Sequence, residues 1–142
     1  MNRRTFLGVA AAIAATRVDL SARTTPIPII DTHIHLFDPR RPQGIPWPPK
    51  DDKILYKPAL PDRYLKVTKG EGVVGAIEVE CSPRLEDNQW VLDVAAKAPV
   101  IVGTVGDLEP DKPDFRRQLE RFHRNPLFRG IRYGNLWGRS LT

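Results

Sequence analysis

The sequence of 142 residues contains a single cysteine and no long apolar run. One cysteine, Cys81, excludes a disulfide within the chain, and we expect it to be a small buried apolar residue. The longest apolar stretch, within residues 6–15, has about ten residues, whereas a membrane-spanning helix needs ~20. The sequence therefore excludes a disulfide scaffold and predicts no stable membrane anchor.

The chain also has only a small excess of positive charge. The formal net charge is +5, from 22 Lys and Arg against 17 Asp and Glu. Residues 1–22 account for +2 of it, because they contain three arginines and one aspartate, so the remainder carries only +3. The basic residues form no stripe with interleaved aromatic side chains. We therefore predict no nucleic-acid partner.

The N-terminal segment has the parts of an export signal. The adjacent Arg3 and Arg4 precede Thr-Phe-Leu, and an alanine-rich apolar stretch follows. A charged start, a short apolar region and small residues are typical of a bacterial signal peptide, and paired arginines resemble a twin-arginine signal. We predict a signal peptide over residues 1–22, a mature domain over 23–142 and a periplasmic or exported protein.

Beyond the signal, strand-like and helix-like patterns alternate. Apolar runs predict strands over 27–36, 73–80, 100–105 and 128–133, and apolar residues at three- and four-residue spacing predict helices over 61–69, 85–98 and 113–124. This order predicts an α/β fold with a parallel sheet and right-handed crossovers. Because each helix has one apolar stripe, we expect the helices to cover a single face of the sheet.

Two histidines, His33 and His35, lie one residue apart at the end of the first predicted strand. Residues i and i+2 of a strand point to the same face, so both imidazoles can converge on one ion. Imidazole suits divalent ions, and we predict zinc, with manganese or iron as alternatives. The competing interpretation is a pair of neutral, hydrogen-bonded core histidines. The third histidine, His123, is predicted to lie on the surface of a helix.

A segment rich in proline separates the first strand from the first helix. Seven of the 14 prolines fall within residues 39–61, which predicts a long loop over 37–60. Trp47 lies in the middle of this loop. It is predicted either to form one wall of a substrate pocket or to cap the core, and the sequence favours neither.

Glu78 and Glu80 share one face of the second predicted strand. We expect Ile77 and Val79 to pack on the helices, so that both carboxylates point into the interior of a barrel. Burying carboxylates is costly unless they are paired, which predicts an ion pair between Glu80 and Arg132 of the fourth strand. That pair would either hold a substrate carboxylate or hydroxyl or be purely structural.

Four segments together resemble the amidohydrolase-related family of the metal-dependent amidohydrolase superfamily. They are Asp31–Asp38, Val73–Pro83, Ile101–Leu108 and Asn125–Arg132, in this order. The resemblance implies a TIM-type (β/α)₈ barrel, which typically needs ~250 residues, so four strands and three helices are about its N-terminal half. It also implies that His33 and His35 bind metal, and that a further histidine and a general-base aspartate come from beyond residue 142.

The resemblance is strongest to the branch that contains sugar lactonases. It implies a metal-dependent hydrolase acting on a small-molecule substrate, a lactone or similar cyclic ester. In such an enzyme Glu80, Arg132 and Trp47 are our candidates for binding the substrate. Two alternatives stay open. One is a non-catalytic half-barrel that self-associates through exposed edges. The other is an exported α/β binding module that uses Trp47 and Arg132 without metal.

Overall fold

The computed structural model describes residues 27–139 as four strands and three helices in alternation. The strands are β1 (Ile29–Ile34), β2 (Val73–Val79), β3 (Ile101–Gly106) and β4 (Phe128–Ile131), and the helices are α1 (Pro61–Val67), α2 (Leu85–Ala95) and α3 (Phe115–His123). A short 3-10 helix, Asn135–Trp137, follows β4 and was not predicted. The predicted signal peptide lies outside the described residues.

All four strands are parallel, in the order β1-β2-β3-β4. The prediction of a parallel sheet built from strand–helix units is therefore confirmed. Because the carboxyl ends of parallel strands meet at one edge, the residues that follow β1, β2, β3 and β4 lie near one another. In residues 27–139, no helix is both long enough and apolar enough to cross a membrane.

The apolar stripes of the helices produce the core. One buried cluster joins the sheet to α2, and a second joins it to α3. The first contains Leu36, Ala76, Ala95 and Ile101, and the second contains Leu92, Leu108, Phe122 and Phe128. Phe122 of α3 stacks on Phe128 of β4 with ring centroids 5.6 Å apart. The helices thus cover one face of the sheet, as predicted.

The opposite face of the sheet carries partly exposed apolar side chains. Ile30 of β1 is 45% exposed and Val102 of β3 is 38% exposed. Ile77 lies on this face, beside Gly103 and the stem of Arg129. The expectation that Ile77 packs on the helices is therefore wrong. Alternation along a strand separates two faces but does not say which of them the helices cover.

The Pro-rich segment over 37–60 is an ordered loop rather than an additional strand or helix. Its two ends are joined by an antiparallel bridge between Phe37 and Ala59. Gly44 adopts a φ of 61°, in the region that favours glycine, at a tight turn closed by the bond from its amide to the carbonyl of Arg41. Pro48 is fully buried, so the middle of the loop is fixed against the rest of the domain.

Candidate metal centre and substrate site

His33 and His35 lie next to each other at the carboxyl end of β1. Their ring centroids are 5.0 Å apart with an interplanar angle of 87°. His33 is exposed and His35 is half-buried. The amide of His33 donates a hydrogen bond of 3.2 Å to Oδ1 of Asp31, which holds the backbone at the point where the pairing of β1 with β2 shifts register. The two rings are therefore close enough to share a ligand.

His35 is held by a hydrogen bond to the neighbouring strand. Its Nδ1 donates to the carbonyl oxygen of Val79 at 2.7 Å, which leaves Nε2 as the ring nitrogen with a free lone pair. Burial lowers the pKa of His35 below its ordinary value, so the imidazole is neutral at pH 7. A neutral ring fixed by its second nitrogen is the form in which histidine binds metals.

Asp31 connects β1 to α1. Its Oδ2 accepts a hydrogen bond of 3.0 Å from the hydroxyl of Tyr64. Burial, reinforced by the Asp31 carboxylate, raises the pKa of Tyr64 to about 12, so the phenol remains a donor through the physiological range. The aspartate that precedes the histidines thus fixes the strand on which they lie.

Trp47 lies against His35. The two ring centroids are 5.3 Å apart, and Trp47 also contacts Phe37 with centroids 5.6 Å apart, both in edge-to-face geometry. The structure therefore places this residue of the Pro-rich loop at the histidine pair. Its predicted contact with a substrate stays a prediction.

The predicted ion pair between Glu80 and Arg132 is formed. Arg132 Nε donates to Glu80 Oε1 at 2.7 Å, and a second guanidinium nitrogen bonds the Glu80 carbonyl. The other carboxylate oxygen accepts from the amide of Ser82 at 3.0 Å and from Nε1 of Trp137 at 3.2 Å. Glu80 is buried, whereas 28% of the Arg132 side chain is exposed. Glu80 directly follows Val79, whose carbonyl binds His35, so the pair lies beside the histidines.

Glu78 does not join this site. It lies on the side of the sheet covered by α2, in a cleft with about 460 Å³ of empty space that Trp47 and Glu80 also line but neither histidine does. Its side chain is 1% exposed, and its Oε1 has no hydrogen-bond partner in the described structure. Burial raises the pKa of Glu78 to about 8. Glu80 lines the same cleft, so the expectation that both glutamates point into a barrel, away from the helices, is wrong.

A second buried ion pair lies at the end of β3. Arg139 Nη1 donates to both oxygens of Asp107 at 2.6 and 2.8 Å. The backbone of Asp107 is bonded in both directions by the side-chain amide of Asn88, on α2. Neither Arg139 nor Trp137 was predicted, because residues after β4 show no periodicity. The sequence signal that could have identified them is a tryptophan and an arginine two residues apart, shortly after the last predicted strand.

The two histidines provide part of the ligand set that a catalytic metal ion needs. Two adjacent imidazoles, one of them fixed and neutral, provide two ligands of the preferred type. Catalytic zinc has three protein ligands, and within residues 27–139 no group of three or more His, Cys, Asp or Glu side chains is placed to hold a metal ion. His33 and His35 therefore fit two of the three positions. His123 is exposed on α3, as predicted.

The fold and the site together define a class: parallel (β/α) units of TIM-barrel type that carry an imidazole pair where the first strand ends. The family model described as Amidohydrolase matches residues 30–140, and the chain belongs to this amidohydrolase family.

Individual relatives agree with this assignment. L-fucono-1,5-lactonase from Burkholderia ambifaria is 29% identical over 103 residues, which are 72% of this chain and 35% of the relative. The crystal structure of an amidohydrolase from Burkholderia multivorans with bound HEPES matches 75% of this chain and 37% of that chain, with a TM-score of 0.66 and 21% identity. A second crystal form, with bound zinc, gives a TM-score of 0.65. The chain thus spans about a third of the length of these relatives.

Proposed function

We propose that this chain forms part of the active site of a metal-dependent hydrolase that opens a lactone or a similar cyclic ester. The observation that carries the proposal is the adjacent pair His33 and His35, with His35 fixed and neutral at the edge where barrel loops build active sites. Support comes from the relative named as an L-fucono-1,5-lactonase and from the fold neighbour with bound zinc.

The proposed roles follow from the contacts. His33 and His35 hold a divalent ion, zinc in the first instance, with manganese or iron as alternatives. When bound, the metal polarises the substrate carbonyl and lowers the pKa of a bound water. Glu80 has its carboxylate oxygens occupied by Arg132, Ser82 and Trp137, so it orients Arg132 rather than touching the substrate.

The remaining substrate contacts fall to exposed groups near the metal ligands. The exposed part of Arg132 binds a substrate carboxylate or hydroxyl, because a guanidinium is suited to both. Trp47 provides an apolar surface beside His35 for the substrate.

Hydrolysis of L-fucono-1,5-lactone, followed by acid release in the zinc-loaded natural gene product that contains this chain, tests the proposal. We expect turnover that chelation abolishes and that zinc restores. The variants His33→Ala and His35→Ala should lose it, whereas His123→Ala, which changes an exposed histidine on α3, should keep it. Turnover that survives both chelation and the first two substitutions would contradict the proposal.

A second candidate function, self-association, rests on the uncovered face of the sheet. Ile30 and Val102 are exposed there, and in the described residues β1 and β4 each pair with one neighbour. Two copies, each with its β1 beside the partner's β4, would close an eight-stranded parallel barrel. Sedimentation equilibrium should then give twice the 16.0 kDa chain mass, and Val102→Lys should restore the monomer. A monomer at all concentrations would contradict self-association.

We also propose export through the twin-arginine route. The support is the Arg3-Arg4 pair ahead of an apolar, alanine-rich stretch. Fractionation of a bacterial host should find the chain in the periplasm, and a double change of Arg3 and Arg4 to lysine should retain it in the cytoplasm. Arg23→Lys, outside the predicted signal, is the matched control. Periplasmic material at equal yield from the double variant would contradict the route.

A further inference from the structure

A buried ion pair fastens the Pro-rich loop to α2. Arg41 Nη2 lies 2.6 Å from Oδ1 of Asp87, in the first turn of α2, and the two side chains are only 12% and 10% exposed. The guanidinium carbon of Arg41 also lies 4.4 Å from the ring centroid of Trp90. A charge pair that is desolvated and stacked on an aromatic ring has one well-defined geometry.

The loop is held a second time just beyond Arg41. Nη1 of Arg84 donates to the carbonyl oxygens of Gln43 and Gly44, at 3.0 and 3.1 Å. The next four residues, 45–48, include Trp47 and the fully buried Pro48. Proline restricts φ, so little backbone freedom separates the fastened part of the loop from Trp47.

We propose that Arg41 and Asp87 are positioning residues for the metal centre: their ion pair holds Trp47 against His35 and thereby gives the ring of His35 a second contact in addition to its Val79 bond. The ring of His35 has two fixed contacts, the hydrogen bond of 2.7 Å to Val79 and the edge-to-face contact of 5.3 Å with Trp47. Removing the ion pair loosens this part of the loop, so the second contact weakens while the first remains. The predicted consequence is a weaker metal ligand.

Two measurements on Asp87→Asn test this inference. The first is the chemical shift of the His35 ring protons in metal-free protein, which the ring current of Trp47 displaces. The variant should move these shifts most of the way to their values in Trp47→Leu. The second is zinc affinity by competition with a chelating dye, which should fall by about tenfold, the low end of the effect of outer partners of metal ligands. Only the zinc measurement depends on the proposed function.

A double variant separates positioning from general stabilisation. If Asp87 acts through Trp47, the combination of Asp87→Asn with Trp47→Leu should bind zinc no more weakly than Trp47→Leu alone. Glu120→Gln is the control, because it removes an exposed ion pair with Arg116 on α3 and should change neither readout. Should Asp87→Asn not fold, Arg41→Met combined with it removes both charges and leaves no unpaired buried ion.

The inference is overturned if Asp87→Asn, or the double replacement of the pair, leaves the His35 ring shifts at wild-type values while lowering the free energy of unfolding. That result would make the ion pair a stabilising contact alone. Additive losses of zinc affinity in Asp87→Asn and Trp47→Leu would overturn it as well. If wild-type protein binds no zinc, the proposed function fails, whereas a shift of the His35 protons would still establish the positioning role.

Discussion

The buried carboxyl of Glu78 makes the stability of this domain depend on pH in a defined direction. Its folded pKa is about 8, raised from 4.5 chiefly by burial. The folded state therefore binds a proton that the unfolded state has lost between these two values, and stability falls as pH rises through that window. Below pH 4.5 both states are protonated, and above pH 8 the full cost applies.

The magnitude follows from the two pKa values. Full ionisation of the buried carboxyl costs about 5 kcal/mol at 1.36 kcal/mol per pKa unit, and about 4 kcal/mol of this falls between pH 5 and pH 9. Glu78→Gln keeps the shape of the protonated acid and cannot ionise. We expect the variant to match wild type within about 1 kcal/mol at pH 5 and to exceed its stability by about 5 kcal/mol at pH 9, a change of about 4 kcal/mol between the two.

Urea unfolding followed by circular dichroism at pH 5, 7 and 9 measures this difference. Other titrating groups cancel, because wild type and variant are compared at each pH. Glu71→Gln, which changes an exposed glutamate, is the control and should show no pH-dependent difference. A stability difference between wild type and Glu78→Gln that stays constant from pH 5 to pH 9 would refute the reasoning.

Three further predictions concern packing and pairing. Arg132→Ala leaves the buried Glu80 carboxylate with only the donors Ser82 and Trp137, so it should lower the free energy of unfolding in urea titrations by about 3 kcal/mol. An unchanged free energy of unfolding would contradict a structural role for the pair. Gly106→Ala puts a methyl group against Asn88 Oδ1 and 2.6 Å from Phe128 Cε2, and it should destabilise the fold by about 1–3 kcal/mol. In the control Gly130→Ala the methyl group enters open space and should cost under about 1 kcal/mol. Equal effects of the two substitutions would contradict the packing described for β3. Cys81 is buried and its burial raises the pKa of the thiol, so a disulfide reagent should label it only in denaturant, and rapid labelling of folded protein would contradict its placement.

The order of strands and helices was predictable because each pattern is local. Three- and four-residue spacing identified the core face of α3, where Phe122 is buried, and the i and i+2 relation of His33 and His35 placed both rings together. The partners of Glu80 were predictable in part. Arg132 directly follows β4, at the edge where the carboxyl ends of the parallel strands meet, but Trp137 lies in a segment without periodicity.

The buried polar contacts beneath the sheet were not predictable. Asp87 and Asn88 lie outside the apolar stripe of α2, yet both are buried, because Arg41 and the backbone of Asp107 provide their partners from distant segments. The face of Glu78 was assigned wrongly for a similar reason. Alternation fixes which residues share a face, whereas contacts with α2 decide which face is covered.

The proposed metal centre requires that His33 and His35 bind a metal ion together. Isothermal titration of metal-free protein with zinc measures this, with His33→Ala, His35→Ala and the surface control His123→Ala titrated beside wild type. We expect one site per histidine pair in wild type and in His123→Ala, with binding reduced at least tenfold in each of the other two variants. Equal zinc binding in all four proteins would contradict the metal centre described here.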